Sequence, residues 1–294
     1  MPPTRPTTRT HLSESLKRSV LVREWPRPHP ESRDLLLLHG LGDHSAWHDW
    51  VAQLGGEAGY RVVGIDWPGN GGSDGVRGDM PTAVEAETLL EELLVALDLS
   101  PVGLFAHSAG GFLALRWLER RSHATPLKDL RWVWLSSPLL RPSHGQPRLK
   151  IALAAALARH FPRQTLSTGV RARKCFHTGG HPAAAEAERR RAGGHHRISL
   201  RFAADLIVHE AALCGQTREI REDLAFLLTQ GSEDPVCPPP YAEELFHHLP
   251  GNRKTWLLAS GARHEPHHEP ENEGFLNAIR AWLQCEEKSV HGTD

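Results

Sequence analysis

A serine at the apex of a predicted sharp turn is the first residue whose setting points to chemistry. Residues 102–112 read VGLFAHSAGGF, so small and apolar residues precede Ser108 and a helical pattern follows it. A strand that turns sharply into a helix exposes the serine hydroxyl, provided that the residues two before and two after it are small. Ala106 and Gly110 stand there, which gives the G-x-S-x-G pattern with alanine at its first glycine. The stretch therefore predicts a nucleophilic serine.

Two further candidates each follow a predicted strand. Residues 224–228 and 254–258 are apolar runs of strand length, and they lead to Asp234 and His264. Ligands of an open α/β sheet bind beyond the carboxyl ends of its strands, so all three side chains are expected at one edge. His264 is expected to accept the proton of the Ser108 hydroxyl, while Asp234 orients the imidazole and stabilises the imidazolium.

The tetrahedral intermediate of such a reaction needs hydrogen-bond donors for its negative oxygen. The backbone N–H of Ala109 begins the helix after the serine, and the N–H of Leu41 lies in a glycine-rich turn. Both are predicted oxyanion donors. His39 and Gly40, which precede Leu41, are predicted to bind substrate.

Residues beside the predicted triad have alternative interpretations. His107 precedes the nucleophile and is a predicted substrate-binding residue, as is Cys237, three residues after Asp234. A cysteine in this position is usually a small buried apolar residue, and a reactive thiol beside the site is the alternative. Glu233 is a rival acid to Asp234, which is favoured because the shorter side chain is the commoner partner.

The run HEPHH at residues 264–268 fits the zinc-protease pattern H-E-x-x-H. That pattern requires both histidines on one helix face, and Pro266 between them would remove a helical hydrogen bond. We therefore expect His267 and His268 in a solvated loop. Other histidines, at positions 177, 181, 195 and 196, lack nearby acidic or cysteine partners and are predicted to be surface residues. Neither a metal ion nor a cofactor is expected.

Alternating strands and helices are predicted to position these residues. An amphipathic helix is predicted at 82–97, a helix follows Ser108, and a last helix covers 271–284. The alternation indicates a mostly parallel sheet with helices on both faces. Its strands are predicted at 19–25, 34–38, 60–65, 102–106, 130–135, 224–228 and 254–258.

The region 139–219 interrupts this alternation, because it is rich in Arg, His and Ala and shows no clear strand. Its apolar helix at 150–158 suits either the core of a cap or an interfacial helix that exposes one face to lipid. Another helix is predicted at 198–213. The predicted units are a flexible N-terminus at 1–15, a core at 16–138 and 220–288, and an inserted helical cap at 139–219.

The composition narrows the class of protein. Among 294 residues, 34 Lys and Arg balance 35 Asp and Glu, which argues against a nucleic-acid partner. Four cysteines without C-x-x-C pairing indicate reduced thiols. The N-terminus lacks the apolar segment of a signal peptide, and no run approaches the roughly 20 apolar residues of a membrane span. A cytoplasmic protein with at most transient membrane-surface contact is expected.

Several motifs together resemble one family. They are HGLGDH at 39–44, DWPGNGGSD at 66–74, the turn at Ser108, SSP at 136–138, GSEDP at 231–235 and GARHE at 261–265. They are similar to the monoacylglycerol lipase and bacterial lysophospholipase branch of the α/β-hydrolases, of the serine aminopeptidase type. The similarity covers about residues 15–285, the cap included. It implies an α/β-hydrolase fold, a cap over an acyl channel, hydrolysis of a lipid monoester, and no cofactor.

The sequence thus predicts a serine hydrolase that cleaves a carboxylic ester with a hydrophobic acyl chain, such as a monoacylglycerol or a lysophospholipid. Rivals of the same fold are a short-chain carboxylesterase, a thioesterase and a peptidase. From another class, the rival is a non-catalytic α/β-hydrolase fold that serves as a binding protein.

Overall fold

The computed structural model describes residues 5–177, 193–210, 217–269 and 272–291. Its strands are β1 Thr7–Ser13, β2 Arg18–Glu24, β3 Asp34–Leu38, β4 Arg61–Ile65, β5 Pro101–His107, β6 Trp132–Ser136, β7 Thr165–Ser167, β8 Arg197–Ser199, β9 Ala225–Gly231 and β10 Lys254–Ala259. Eight of them form one sheet in the order β1-β2-β4-β3-β5-β6-β9-β10. Only the pairings of β2, with β1 and β4, are antiparallel in this sheet. All seven predicted strands fall on it.

The helices of the described residues are α1 Asp49–Glu57, α2 Ala83–Ala96, α3 Ala109–Arg121, α4 Arg148–Ala158, α5 Ala172–Cys175, α6 Leu200–Glu210, α7 Pro239–His248 and α8 Glu273–His291. The predicted helix at 82–97 is confirmed as α2. Its N-cap Thr82 accepts from the Glu85 N–H while the Glu85 carboxylate accepts from the Thr82 N–H, and this capping box satisfies two donors of the first turn. Among the described residues, no helix combines the length and the apolar character that crossing a bilayer requires.

Strand β3 shows why a continuous apolar run forms the centre of the sheet. All five of its residues are buried. Successive side chains of a strand point to opposite faces. Leu36 and Leu38 accordingly pack with residues of α2, α3 and α7, whereas Leu35 and Leu37 pack with residues of α1 and α8. The predicted mostly parallel sheet with helices on both faces is therefore confirmed.

The prediction of a flexible segment at 1–15 is wrong for residues 7–13, which form β1. Every residue of β1 pairs with β2. Glu92 of α2 holds the end of the strand, because its carboxylate accepts from the Ser13 hydroxyl at 2.9 Å and from the Ser15 N–H at 3.2 Å. Most of this edge strand is polar and exposed, so no alternation of apolar residues announces it.

The region 139–219 contains α4, α5 and α6, and it also contains the β7–β8 ribbon. The expectation that this region has no strand is wrong, because two strands of three residues each are too short to show a periodic pattern.

Several hydrogen bonds join this region to the core, and two of them involve His195 and Arg201. The His195 N–H donates to the Gly42 carbonyl at 2.9 Å, and the approach is so close that a Cβ at Gly42 would lie 2.1 Å from the His195 carbonyl oxygen. On α6, Arg201 Nε donates to Asp79 Oδ1 at 2.8 Å. The predicted cap is therefore held at the loop that carries one of the predicted oxyanion donors.

Candidate active site

The turn between β5 and α3 is a sharp strand-to-helix turn. Ser108 stands between the end of β5 at His107 and the start of α3 at Ala109, with φ 51° and ψ −119°. A positive φ is strained for every residue except glycine and costs about 1–3 kcal/mol, which the surrounding packing must offset. The Ser108 N–H donates to the Ser136 carbonyl at 3.0 Å and ties the apex to β6. Strain of this kind is concentrated at functional sites.

Gly110 permits this turn to approach β3. A Cβ at Gly110 would lie 2.5 Å from the His39 carbonyl oxygen and 2.7 Å from that of Leu38. Both oxygens belong to the backbone at the end of β3, so neither can rotate away. Ala106, at the other small position, is fully buried and pairs with Leu38 across the sheet.

Gly110→Ala is expected to lower the free energy of unfolding by about 3 kcal/mol, the upper end of typical overpacking costs. This cost exceeds the gain of about 1 kcal/mol that alanine brings to a helix. Gly56→Ala in α1 is the matched control, since nothing lies within 4 Å of its new Cβ, and it is expected to raise Tm. Thermal unfolding followed by circular dichroism checks both. A wild-type Tm for Gly110→Ala would contradict the close contact.

Two hydrogen bonds join Ser108, His264 and Asp234 in a line. His264 Nε2 lies 3.1 Å from Ser108 Oγ, and its Nδ1 lies 2.8 Å from Asp234 Oδ2. The carboxylate can only accept, so the ring proton is on Nδ1 and Nε2 is left to accept from the serine hydroxyl. The structure brings these three predicted residues together because they follow β5, β9 and β10, whose carboxyl ends meet at one edge.

Asp234 is held by two backbone groups and, besides His264, by one further side chain. Its Oδ1 accepts from the N–H of Val236 at 2.7 Å and of Cys237 at 2.9 Å. Its Oδ2 accepts from Gln230 Nε2 at 2.9 Å in addition to His264. Hydrogen bonds of this kind stabilise the ionised carboxylate and fix its direction. The sequence analysis did not identify Gln230. The feature that could have indicated it is a single amide side chain near the end of an otherwise apolar strand.

Two adjacent imidazoles differ in their affinity for protons. Burial by itself lowers the pKa of His264, but the Asp234 carboxylate and the neighbouring Cys237 together outweigh burial and raise that pKa well above its ordinary value. Burial lowers the pKa of His107 well below its ordinary value, and the nearby His264 lowers it further. The two ring centroids are 4.9 Å apart. Of the two rings, His264 is therefore the one that takes up a proton.

The structure places His39, a predicted substrate-binding residue, off the cavity wall, with its side chain fully buried. The Trp67 N–H donates to its Nε2 at 2.9 Å, so the ring proton is on Nδ1, which donates to the Gly40 carbonyl at 2.7 Å. That carbonyl shares a peptide group with the Leu41 N–H, and the two point in opposite directions in a trans peptide. His39 therefore orients the Leu41 N–H. Burial lowers the pKa of His39, which keeps the ring neutral.

A cavity of about 380 Å³ opens beside Ser108. Gly40, Leu41, His107 and Ala109 lie on its wall, so both predicted oxyanion donors border the cavity that the serine faces. A Cβ at Gly40 would lie 2.9 Å from Ser108 Cβ, which explains the glycine. Apolar residues of the region 139–219 supply much of the remaining wall, among them Leu139, Ile151, Ala154, Ala155, Ile198, Leu200, Ala203 and Ile207.

Cys237, a predicted substrate-binding residue, is buried and does not line the cavity, although its thiol lies beside His264 and Ser108. Its neighbours Pro235 and Val236 lie on the cavity wall instead. Burial raises the pKa of the Cys237 thiol, which favours the buried apolar interpretation over a reactive thiolate. Cys175 and Cys285, like Cys237, form no disulfide bond. The fourth cysteine, at position 214, lies outside the described residues.

The HEPHH run forms a short 3-10 helix at Pro266–His268. The prediction of a solvated loop is wrong for His267, which is buried because Trp50 stacks on its ring at 4.0 Å and 16°. His264 points to the serine and the aspartate, so the zinc-protease arrangement of His264 and His268 on one helical face is not formed.

The remaining histidines of interest have different surroundings. His195 and His196 lie on the cavity wall, where surface positions were expected. His177 Nε2 lies 3.3 Å from Glu233 Oε2, so the rival acid is directed away from His264. His181 lies outside the described residues.

Comparison with known proteins places the chain in a family. The model of the serine aminopeptidase, S33, family matches residues 30–271. The chain is 23% identical to phospholipase YtpA of Bacillus subtilis, over 84% of this chain and 93% of that protein. It is 25% identical to monoglyceride lipase of Rattus norvegicus, over 93% and 89%. It is 24% identical to an abhydrolase domain-containing protein of Dictyostelium discoideum, of which it spans 29%.

Solved structures agree with this assignment. Monoacylglycerol lipase from Paleococcus ferrophilus superposes with a TM-score of 0.79 at 30% identity, over 91% of this chain and 99% of that one. A monoglyceride lipase from Saccharomyces cerevisiae, in complex with a substrate analog, has a TM-score of 0.80 at 19% identity over 96% of both chains, and this likeness concerns the fold alone. The predicted fold and family are thus confirmed. The chain belongs to the serine aminopeptidase (S33) family and is an α/β-hydrolase of the lipase and esterase type.

Proposed function

We propose that the chain is a serine hydrolase that cleaves the carboxylic ester of a lipid-like substrate, a monoacylglycerol or a lysophospholipid. The observation that carries this proposal is the hydrogen-bonded line of Ser108, His264 and Asp234 beside a cavity with a largely apolar wall. Similarity to a phospholipase and to two monoacylglycerol lipases supports a lipid ester over other substrates of the fold.

The reaction begins when Ser108 Oγ attacks the ester carbonyl carbon and its proton passes to His264 Nε2. The carbonyl oxygen becomes an oxyanion that accepts from the N–H groups of Leu41 and Ala109. The bond to the alcohol then breaks, and His264 gives its proton to the leaving alcohol oxygen, which leaves the acyl group on Ser108. Water adds in the second half while His264 accepts its proton, and the same proton returns to Ser108 Oγ when the fatty acid leaves.

An activity-based probe tests this proposal directly. We expect a fluorophosphonate to form a single adduct on the peptide that contains Ser108, as read by mass spectrometry of the folded protein. A series of p-nitrophenyl esters, followed by monoacylglycerol and lysophosphatidylcholine, then measures kcat/KM against acyl length. The apolar wall predicts higher kcat/KM for longer chains. A preference for short acyl chains would support a carboxylesterase, and folded protein without any adduct would support a non-catalytic binding protein.

His39→Ala is expected to lower kcat by about 10²–10³, the usual effect of losing one oxyanion donor. In this variant the Leu41 N–H would lose the contact that orients it. The residues that line the cavity and bind the unreacted substrate stay the same, so KM is expected to change less than kcat. His247→Ala, at an exposed position on α7, is the control. Steady-state kinetics with a p-nitrophenyl ester and a Tm measurement check both variants. An unchanged kcat would show that the oxyanion donor does not depend on His39.

We also propose that the protein acts in the cytoplasm and contacts a phospholipid surface transiently through α4. The three cysteines that the structure describes form no disulfide bond, which supports a reducing compartment. No residue of α4 is buried, and Leu149 and Leu153, one helical turn apart, are 81% and 58% exposed. Ile151 and Ala154 of the same helix lie on the cavity wall. A helix that is apolar toward both the cavity and the solvent suits a lipid surface better than water.

Co-sedimentation with phospholipid vesicles measures this contact. The double variant Leu149→Ser and Leu153→Ser is expected to bind vesicles at least about tenfold more weakly, because two leucines lose their apolar contact with lipid. Val95→Ser is the matched control, since Val95 is 80% exposed but lies on α2 in the core. The double variant should hydrolyse soluble esters as the wild type does. Equal vesicle binding of all three proteins would contradict the contact.

A further inference from the structure

The turn that follows His264 brings three potential metal ligands together. A carboxylate oxygen of Glu265 and one ring nitrogen each of His267 and His268 lie within 4.8 Å of one another. One carboxylate and two imidazoles are ligands that Zn²⁺ takes in proteins. The sequence analysis expects no metal ion, and for this run it weighed zinc at the pair His264 and His268 on an α-helix. The present set of residues is different.

His267 carries the main observation. Its side chain is only 7% exposed, and neither of its ring nitrogens has a hydrogen-bond partner among the described residues. Its ring lies between Trp50, at 4.0 Å, and His268, at 4.3 Å between centroids. Buried polar groups are nearly always hydrogen-bonded, and an exception calls for an explanation such as a bound ion.

The other two residues suit the same ion. Trp47 Nε1 donates to Glu265 Oε2 at 2.8 Å, which fixes the carboxylate, and His268 Nε2 lies 3.6 Å from the same oxygen. The His268 side chain is 30% exposed, so an ion can enter from solvent. Asp43 and Glu269 add negative charge near His268.

We propose that Glu265, His267 and His268 form a site for a divalent transition metal ion of the Zn²⁺ type, with water completing the tetrahedral coordination. Ligand atoms at about 2.0–2.2 Å from zinc stand closer together than 4.8 Å, so the turn tightens slightly on binding. Glu265 also lies on the cavity wall, so the proposed site adjoins the cavity. Binding of the ion there does not depend on the proposed hydrolysis.

Calorimetric titration of the full chain with ZnCl₂, after treatment with a chelator, tests the site. We expect the wild type to show a tight site that His268→Gln weakens at least about tenfold. Zinc should also raise Tm for the wild type and not for His268→Gln, because an ion that binds the folded state stabilises it. His268 is partly exposed, so this variant is expected to fold, and its Tm without zinc verifies that.

Two controls separate this site from others. Cys237, Asp234 and His264 also bring their ligand atoms within 4.8 Å of one another. If the ion binds at Glu265, His267 and His268, Cys237→Ala should keep the tight site. If the ion binds instead at the group that contains Cys237, this variant should lose it. His160→Gln, at an exposed position after α4, should behave as the wild type. Zinc binding by His268→Gln with wild-type affinity, or its loss in Cys237→Ala, would overturn the proposal.

Discussion

Ser108→Ala is expected to lower kcat for ester hydrolysis by about 10⁶, because the acyl group then has no oxygen to bind. The cavity and both predicted oxyanion donors remain, so substrate should still bind and a small residual rate over water should persist. Steady-state kinetics at high enzyme concentration, with labelling by a fluorophosphonate as the second readout, measure the loss. Ser100→Ala, at an exposed serine that bonds Asp129, is the control and should leave kcat unchanged.

The same position offers a test of backbone strain. Because φ of Ser108 is 51°, Ser108→Gly should be inactive but about 1 kcal/mol more stable than Ser108→Ala, since glycine adopts this conformation freely. Chemical denaturation of both variants measures the difference. A kcat near that of the wild type in either variant would remove Ser108 from the mechanism.

Asp234→Asn is expected to lower kcat by about 10⁴. The asparagine amide can donate to His264 Nδ1, which then favours the tautomer with its proton on Nε2, and that nitrogen can no longer accept from Ser108. Glu233→Gln is the matched control, because Glu233 lies beside His177 instead. It should keep wild-type kinetics. A large loss of kcat in Glu233→Gln with little loss in Asp234→Asn would show that Glu233, and not Asp234, is the acid that pairs with His264.

The pH profile gives an independent readout of the same pair. Hydrolysis needs neutral His264, so the acid limb of kcat/KM reports its pKa. The Asp234 carboxylate raises that pKa above its ordinary value, which places the wild-type limb at higher pH than for a free histidine. Without the carboxylate charge, burial dominates and lowers the pKa. The acid limb of Asp234→Asn should therefore move to lower pH, and a limb that stays in place would contradict this electrostatic pairing.

The elements around the triad could be predicted because their signals are local. Each of these elements can be recognised from a short stretch of sequence. They are the apolar run of β3, the small residues beside Ser108, and the two strands that precede Asp234 and His264. The alternation of strands and helices then determines which ends of the strands meet. Their convergence follows from the topology and needs no knowledge of individual side-chain contacts.

Features that depend on distant contacts could not be predicted in this way. The polar edge strand β1 is held by pairing with β2 and by Glu92, neither of which shows in its own residues. His39 has the sequence context of a substrate ligand, yet its ring turns toward Trp67 and its own peptide neighbour. His267 stands in a run of polar residues, and only Trp50, far away in the chain, makes it a buried side chain. Side-chain direction and long-range stacking are tertiary properties.

The hydrogen bond from the His195 N–H to the Gly42 carbonyl has a practical consequence for altering substrate scope. Gly42 adjoins Leu41, so His195 on the cavity wall is bonded to the same backbone turn that carries the predicted oxyanion donor. Shortening the region 139–219 to admit bulkier esters should therefore slow turnover even for small ones. Broader scope is better sought by replacing single side chains that line the cavity, such as Ile151 or Ile207, with position 195 left unchanged.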